Sequence, residues 1–193
     1  GINPAAAITC VKPSGTVSQL VDSSSGIHPR HSNYYIRRVR ADNKDPLTQF
    51  MKGKGVPWEP DVMKPDSTTV FSFPMRAPDG AVVRDDIDAI KHLELWAVYQ
   101  EAWCEHKPSV TINVKEHEWM KVGAWVYDHF DEMSGVSFLP HDGGSYRQAP
   151  YEEITKDLYE AMLPTIPTHL DWDTLQEFDD NVEGVQTLAC TAG

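Results

Sequence analysis

Hydrophobic and polar positions along this chain switch between a period near two and a period near three and a half, and the switches mark its elements. Ile8, Thr9 and Val11 form a short β-branched run that predicts a buried strand, ended by Pro13 and turned by Ser14-Gly15. From Thr16 the apolar positions fall at Val17, Leu20 and Val21, the spacing of a short helix. Residues 23–32 are a polar loop of turn formers, and residues 34–40, aromatic and β-branched, predict a strand. Asp45 caps a helix running to about Lys54, with Pro46 at its first position. A loop over 57–65 leads to a strand at 67–73. Asp85-Asp86 then open a long helix whose apolar face runs through Ile87, Ile90, Leu93, Ala97 and Trp103.

Pro108 ends that helix and 109–114 is a strand. A second amphipathic helix follows, with Trp119, Val122, Val126 and Phe130 on one side. Residues 136–139 form a short strand, 140–150 a loop, and 151–162 a third helix. Strands and helices in alternation predict an α/β layer with mostly parallel strands. From Pro164 the periodicity weakens, and 178–193 reads as an acidic, mobile tail.

Composition narrows the possible partners. The 193 residues carry a net charge of −12, so no broad electrostatic footprint for nucleic acid is expected. No apolar run approaches the ~18 residues of a membrane span, and no basic-then-apolar signal segment opens the chain. The three cysteines, Cys10, Cys104 and Cys190, are widely spaced and odd in number, which points to a reducing cytoplasm rather than a disulfide framework. Gly1 to Ala7 has no Met start and no charge, the look of a chain entered within a domain.

The strongest local chemistry is at 13–17. A Pro-Ser-Gly turn between a strand and a helix start gathers free backbone N–H groups, which suit a phosphate. Gly15 lets an anion approach the backbone, and Ser14 and Thr16 add hydroxyls. The same residues also cap helices that bind nothing.

Other motifs read as structural. His28 and His31 lack partners at ligand spacing, His117-Glu118 is followed by Lys121 rather than a second histidine, and no metal site is expected. Trp96, Trp103, Trp119 and Trp125 are expected to pack in or near a core. Arg37, Arg38 and Arg40 alternate poorly for a ligand patch, and at least one is expected to reach solvent or pair with a carboxylate. Cys10 and Cys104 read as small buried hydrophobes, whereas Cys190, in the polar tail, reads as an accessible thiol.

Three stretches, 11–19, 24–29 and 34–40, together with 108–114, 135–140 and 148–153, resemble the C-terminal part of the catalytic chain of ribonucleotide reductases. The likeness is greatest to the adenosylcobalamin-dependent, class II kind, and it leans to the triphosphate-using branch. It implies the last strands and helices of a ten-stranded α/β barrel over residues 1–163, followed by a redox tail over 164–193. It also implies that Ser14, Gly15, Thr16 and Val17 hold the substrate's phosphates, largely by backbone N–H. The complete enzyme would replace the ribose 2′-hydroxyl with hydrogen by a thiyl-radical mechanism. Its thiyl cysteine is expected upstream, since no N-x-C-x-E motif is present here.

Partners implied by the resemblance are the N-terminal segment of the same reductase, a ribonucleotide and a thioredoxin-like reductant. Cys190 would be the first of a Cys-x4-Cys pair whose second member falls at 195, two beyond Gly193. The alternatives are a non-catalytic phosphate-binding or assembly fragment, and a fragment of a class I large subunit. Tyr34-Tyr35 lies too early to be the radical-relay pair that the latter needs.

Overall fold

The computed structural model describes residues 1–141 and 146–176 and contains both helix and sheet. The chain forms two compact units: Gly1–Ser32 with Ala77–Asp142, and Asn33–Arg76 with Gly143–Gly193.

The first unit is built on a parallel strand pair, β4 (Thr111–Val114) and β5 (Ser137–Pro140), joined through α4 (Trp119–Asp128). Parallel neighbours require such a crossover. Ile112 and Val114 are fully buried against Leu93 and Trp96 of α3 (Ala89–Ala102) and Val122 of α4. The Trp96 indole N–H donates to the Pro108 carbonyl at 3.3 Å, satisfying the one polar atom of a buried ring. Glu118 is buried, and its two oxygens accept from the N–H groups of Ala89 (3.2 Å) and Lys115 (2.8 Å). It therefore joins the start of α3 to the turn after β4.

The second unit is an antiparallel sheet in the order β2-β3-β1-β6. Its centre is β1 (Tyr34–Asp42), paired along its length with β3 (Thr68–Arg76), Val39 facing Phe71. The edges are β2 (Trp58–Pro60) and β6 (Tyr151–Glu153). Tyr35, Val70 and Phe71 form its buried centre, while α2 (Pro46–Gly53) and α5 (Lys156–Met162) complete the unit. Trp172 stacks on Phe50 of α2, ring centroids 5.3 Å apart.

Several expectations need correction. The sheets are not mostly parallel: one pair is parallel and the four-stranded sheet is antiparallel. Periodicity locates strands but carries no sign for their direction. The run at Ile8–Val11 is not a strand, and Ile8 and Cys10 are exposed. It lies extended beside 103–109, with the Thr9 carbonyl accepting from His106 N and the Val11 carbonyl from Ser109 N, too few bonds for a ladder.

The expected loop at 57–65 contains β2, and the expected helix at 151–162 is β6 followed by α5, which Thr155 caps at 3.2 Å. The long helix begins at Ala89 because Asp88, not Asp85 or Asp86, caps it; the Asp86 carboxylate instead accepts from Val83 N. Its buried face is Ala89, His92, Leu93 and Trp96, whereas Trp103 is 60% exposed. Of the other tryptophans, Trp125 packs on the core and Trp119 is exposed at 37%. Phe130 lies beyond α4 and is exposed, and Cys104 is half-buried.

Candidate functional site

The turn at 13–18 lies in the first unit. Pro13 ends the extended run, and Gly15 adopts φ +63°, the left-handed region that glycine enters without a Cβ clash. A Cβ built on Gly15 would meet no atom within 4 Å, so the space beside this backbone is open. α1 (Val17–Leu20) follows and is a single turn, with no side-chain cap from Thr16. Its dipole is correspondingly small, and the site's electrostatics come from individual N–H groups rather than from the helix.

Those groups divide into two sets. The Ser14 N–H donates to Ser25 Oγ at 3.0 Å, Ser18 N–H to Ser14 Oγ at 3.2 Å, and Val17 N–H to the Ser14 carbonyl at 3.4 Å. The N–H groups of Gly15 and Thr16 have no acceptor among the described residues. Gly15 and Thr16 thus offer two free donors, and the Ser14 and Thr16 hydroxyls stand beside them. Cys190, the expected redox thiol, lies outside the described residues.

Helix α1 is turned opposite to a core helix. Val17, Leu20 and Val21 are exposed at 60%, 85% and 69%, and Ser18 is the buried residue. The apolar spacing is real, but it faces outward.

The loop at 22–30 packs against the turn; its stretch 24–29 carries part of the family resemblance, but no site residue was expected in it. Gly26, at φ +59°, lies so close to residue 12 that a Cβ there would be 3.0 Å from the Lys12 carbonyl oxygen. Arg30 is buried; its guanidinium donates to the Ser23 carbonyl at 2.8 Å and pairs with Asp22 at 3.0 Å. The signal available in the sequence was the density of small residues and histidine in Ser23-Ser-Ser-Gly-Ile-His-Pro29 directly after the turn.

A second polar cluster of this unit lies around the ends of the parallel strands. Asp85 faces His141 at 3.2 Å and Lys115 at 4.0 Å, and Arg84 Nε donates to the His31 carbonyl at 2.7 Å. Burial lowers the His31 imidazole to about 4, Arg84 and His141 push the same way, and Asp85 opposes them. Burial also lowers His92, against the opposing bond to the Ile27 carbonyl. Among the described residues no group of three or more His, Cys, Asp or Glu side chains is placed to hold a metal ion.

In the second unit two arginines of the basic run of β1, Arg38 and Arg40, are internally paired. Arg38 meets Glu152 at 2.5 Å and the Ala149 carbonyl at 3.0 Å. Arg40 meets Asp61 at 2.8 Å and the Gln148 carbonyl at 2.9 Å. Burial raises the Asp61 carboxyl, but the N–H groups of Met63 and Lys64 and the Arg40 guanidinium outweigh it and hold it below the usual carboxylate range. These arginines have carboxylate partners and are not a patch waiting for an anion.

No family model matches the chain. Among solved structures, that of a B12-dependent class II ribonucleotide reductase superposes with a TM-score of 0.71 at 29% identity, over 90% of this chain and 24% of that one. The mixed helix-and-sheet fold is therefore that of a piece of a class II reductase. The adenosylcobalamin-dependent ribonucleoside-triphosphate reductase of Euglena gracilis is 31% identical over 185 residues, covering 95% of this chain and 25% of the relative. That of Lactobacillus leichmannii is 33% identical over 193 residues, covering 97% and 26%. The chain is a homologue of a segment of these reductases and spans about a quarter of their length. No helix among the described residues is long and apolar enough to cross a membrane.

Proposed function

We propose that this chain is the C-terminal part of the catalytic chain of an adenosylcobalamin-dependent ribonucleoside-triphosphate reductase, and that its turn at 14–17 holds the substrate's phosphates. The observation that carries this reading is the turn itself. Gly15 is left-handed, the space beside it is open, and the adjacent N–H groups of Gly15 and Thr16 lack acceptors among the described residues of a segment homologous to such reductases. A phosphate oxygen between two N–H donors gains charge-assisted hydrogen bonds that need no net positive protein. The Ser14 and Thr16 hydroxyls add donors beside them, and Val17 contributes by setting the start of α1.

In this reading the segment works by orientation. Fixing the phosphates fixes the ribose relative to the reacting cysteine, which lies elsewhere in the enzyme, and removes rotational freedom before the chemical step. Adenosylcobalamin, when bound, supplies the radical chemistry of the complete enzyme. The half-buried His28 and the buried His92 do not fit it as cobalt ligands, since their rings are engaged within the chain. His28 engages both ring nitrogens, with the Ser25 carbonyl and Thr111 N–H, and His92 turns Nε2 to the Ile27 carbonyl.

The same proposal assigns barrel closure to the N-terminal segment and re-reduction by a thioredoxin-like protein to the tail bearing Cys190. It also assigns the protein to the cytoplasm.

Deoxynucleotide formation by the complete reductase tests the turn, with adenosylcobalamin, a nucleoside triphosphate and dithiothreitol. Gly15→Val is expected to raise KM for the nucleotide at least ~10-fold, because a branched residue is strained at φ +63° and stands where the phosphate approaches. An unchanged KM in a folded variant overturns the phosphate assignment.

A further inference from the structure

We propose that His28 and Ser25 are positioning residues for the phosphate turn, a relay that ties it to the first residue of β4; this rests on the phosphate reading above. The relay runs through three hydrogen bonds. The Ser14 N–H donates to Ser25 Oγ at 3.0 Å. The Ser25 carbonyl faces His28 Nδ1 at 2.8 Å, and the Thr111 N–H donates to His28 Nε2 at 2.9 Å.

Chemistry decides the direction of each bond. A backbone N–H only donates, so Nε2 must present its lone pair to Thr111, and the ring proton is then on Nδ1. That tautomer is the one able to donate to the Ser25 carbonyl, which only accepts. Both ends of the imidazole are satisfied in one orientation, and the ring is a strut of fixed polarity rather than a free base.

The far end of the strut is rigid. Thr111 opens β4, and the next residue, Ile112, is fully buried. The His92 ring from α3 stands edge-on to His28 with centroids 6.3 Å apart, and its Nε2 meets the carbonyl of Ile27. Arg30 closes the other side of the loop through Ser23 and Asp22, just past α1.

The near end has little rigidity of its own. α1 is one turn long, uncapped by a side chain, and exposes its apolar face; a single isolated turn is not stable by itself. The directions of the Gly15 and Thr16 N–H groups are therefore set by what holds Ser14, and Ser25 holds Ser14. Gly26 adds the necessary closeness, since any side chain there would press on the Lys12 carbonyl.

Steady-state kinetics of the complete reductase with a nucleoside triphosphate test the relay in four variants. Ser25→Ala removes one acceptor and is expected to raise KM about 5-fold, and His28→Ala about 10-fold, the scale of one or two hydrogen bonds. kcat at saturating nucleotide should change far less than KM, a split that general loss of folded enzyme does not produce. His28→Gln keeps a donor and an acceptor and should restore KM to within about 3-fold of the parent. Gly15→Val reports the phosphate turn separately.

If Gly15→Val raises KM while Ser25→Ala and His28→Ala leave it unchanged, the relay is overturned and the phosphate reading stands. If Gly15→Val itself has no effect, the phosphate reading fails and the relay's role fails with it. Should His28→Ala not fold, Ser25→Ala and His28→Gln decide: a raised KM in the first and a near-parent KM in the second support the relay. Parent KM in Ser25→Ala sinks it.

Discussion

The turn of the first unit and the central sheet of the second treat polar groups in opposite ways. In the sheet, Asp61 accepts from Met63 N, Lys64 N and Arg40, and the Gln148 side chain bonds both the Val62 N–H and the Pro60 carbonyl. Gln148 sits at φ +60°, a conformation that costs a non-glycine residue on the order of 1 kcal/mol. The network around it sustains that conformation. At 14–17 the arrangement is reversed: small residues adopt the turn, two N–H groups are left over, and an apolar helix face is exposed. A closed polar network serves stability, whereas an open one is where a ligand can supply the missing partner.

That contrast breaks most readily in the sheet. Asp61→Ala leaves the Arg40 guanidinium and two backbone N–H groups without their carboxylate and should cost about 3 kcal/mol, read as a fall in the denaturant midpoint. A loss below about 1 kcal/mol would mean that water replaces Asp61 and that the network is not closed. Glu118→Ala, in the first unit, should cost about 2 kcal/mol, because the N–H groups of Ala89 and Lys115 lose a buried acceptor. Chemical denaturation of Glu118→Gln, which keeps one acceptor oxygen, should give an intermediate value.

A smaller effect is expected from pH. His31 stays neutral in the fold down to about 4, whereas the unfolded imidazole takes its proton near 6.5. Between those values the unfolded state binds more protons, so stability declines as pH falls from 6.5 towards 4. His31→Gln should flatten that slope in part, His92 retaining its own share in the same direction. A slope identical to the parent's would show that His31 is not held neutral by burial. The smallest effect belongs to Leu20→Ser, within about 0.5 kcal/mol, because this side chain is already 85% exposed. A larger loss in thermal unfolding would place Leu20 against a surface that this structure leaves open.

Much of the local architecture was legible in the residues. Asp45-Pro46 begins α2 as its cap chemistry dictates, the Asp45 side chain accepting from Leu47 N at 2.9 Å. β1 and β3 follow from β-branched and aromatic runs, and Arg38 and Arg40 find carboxylates as expected. Gly15 is left-handed where a Pro-Ser-Gly turn needs it. The readings that failed depended on distant partners. Tyr151–Glu153 is a strand because β1 offers an edge far away in sequence, Arg37 pairing with Tyr151 and Tyr35 with Glu153, not because its own pattern favours one.

By itself, then, the sequence determined the Asp45-Pro46 start of α2, the turn at 13–15 and which short stretch has the chemistry to present free N–H groups. These depend on contacts within a few residues, where side-chain chemistry acts directly on the backbone. Tertiary structure alone decided the antiparallel sense of the sheet, the outward face of α1 and the tie from Ser14 through Ser25 and His28 to Thr111. Periodicity says that a helix has an apolar side, but not which side meets a core. A hydrogen bond across 83 residues, between His28 and Thr111, has no local signature at all.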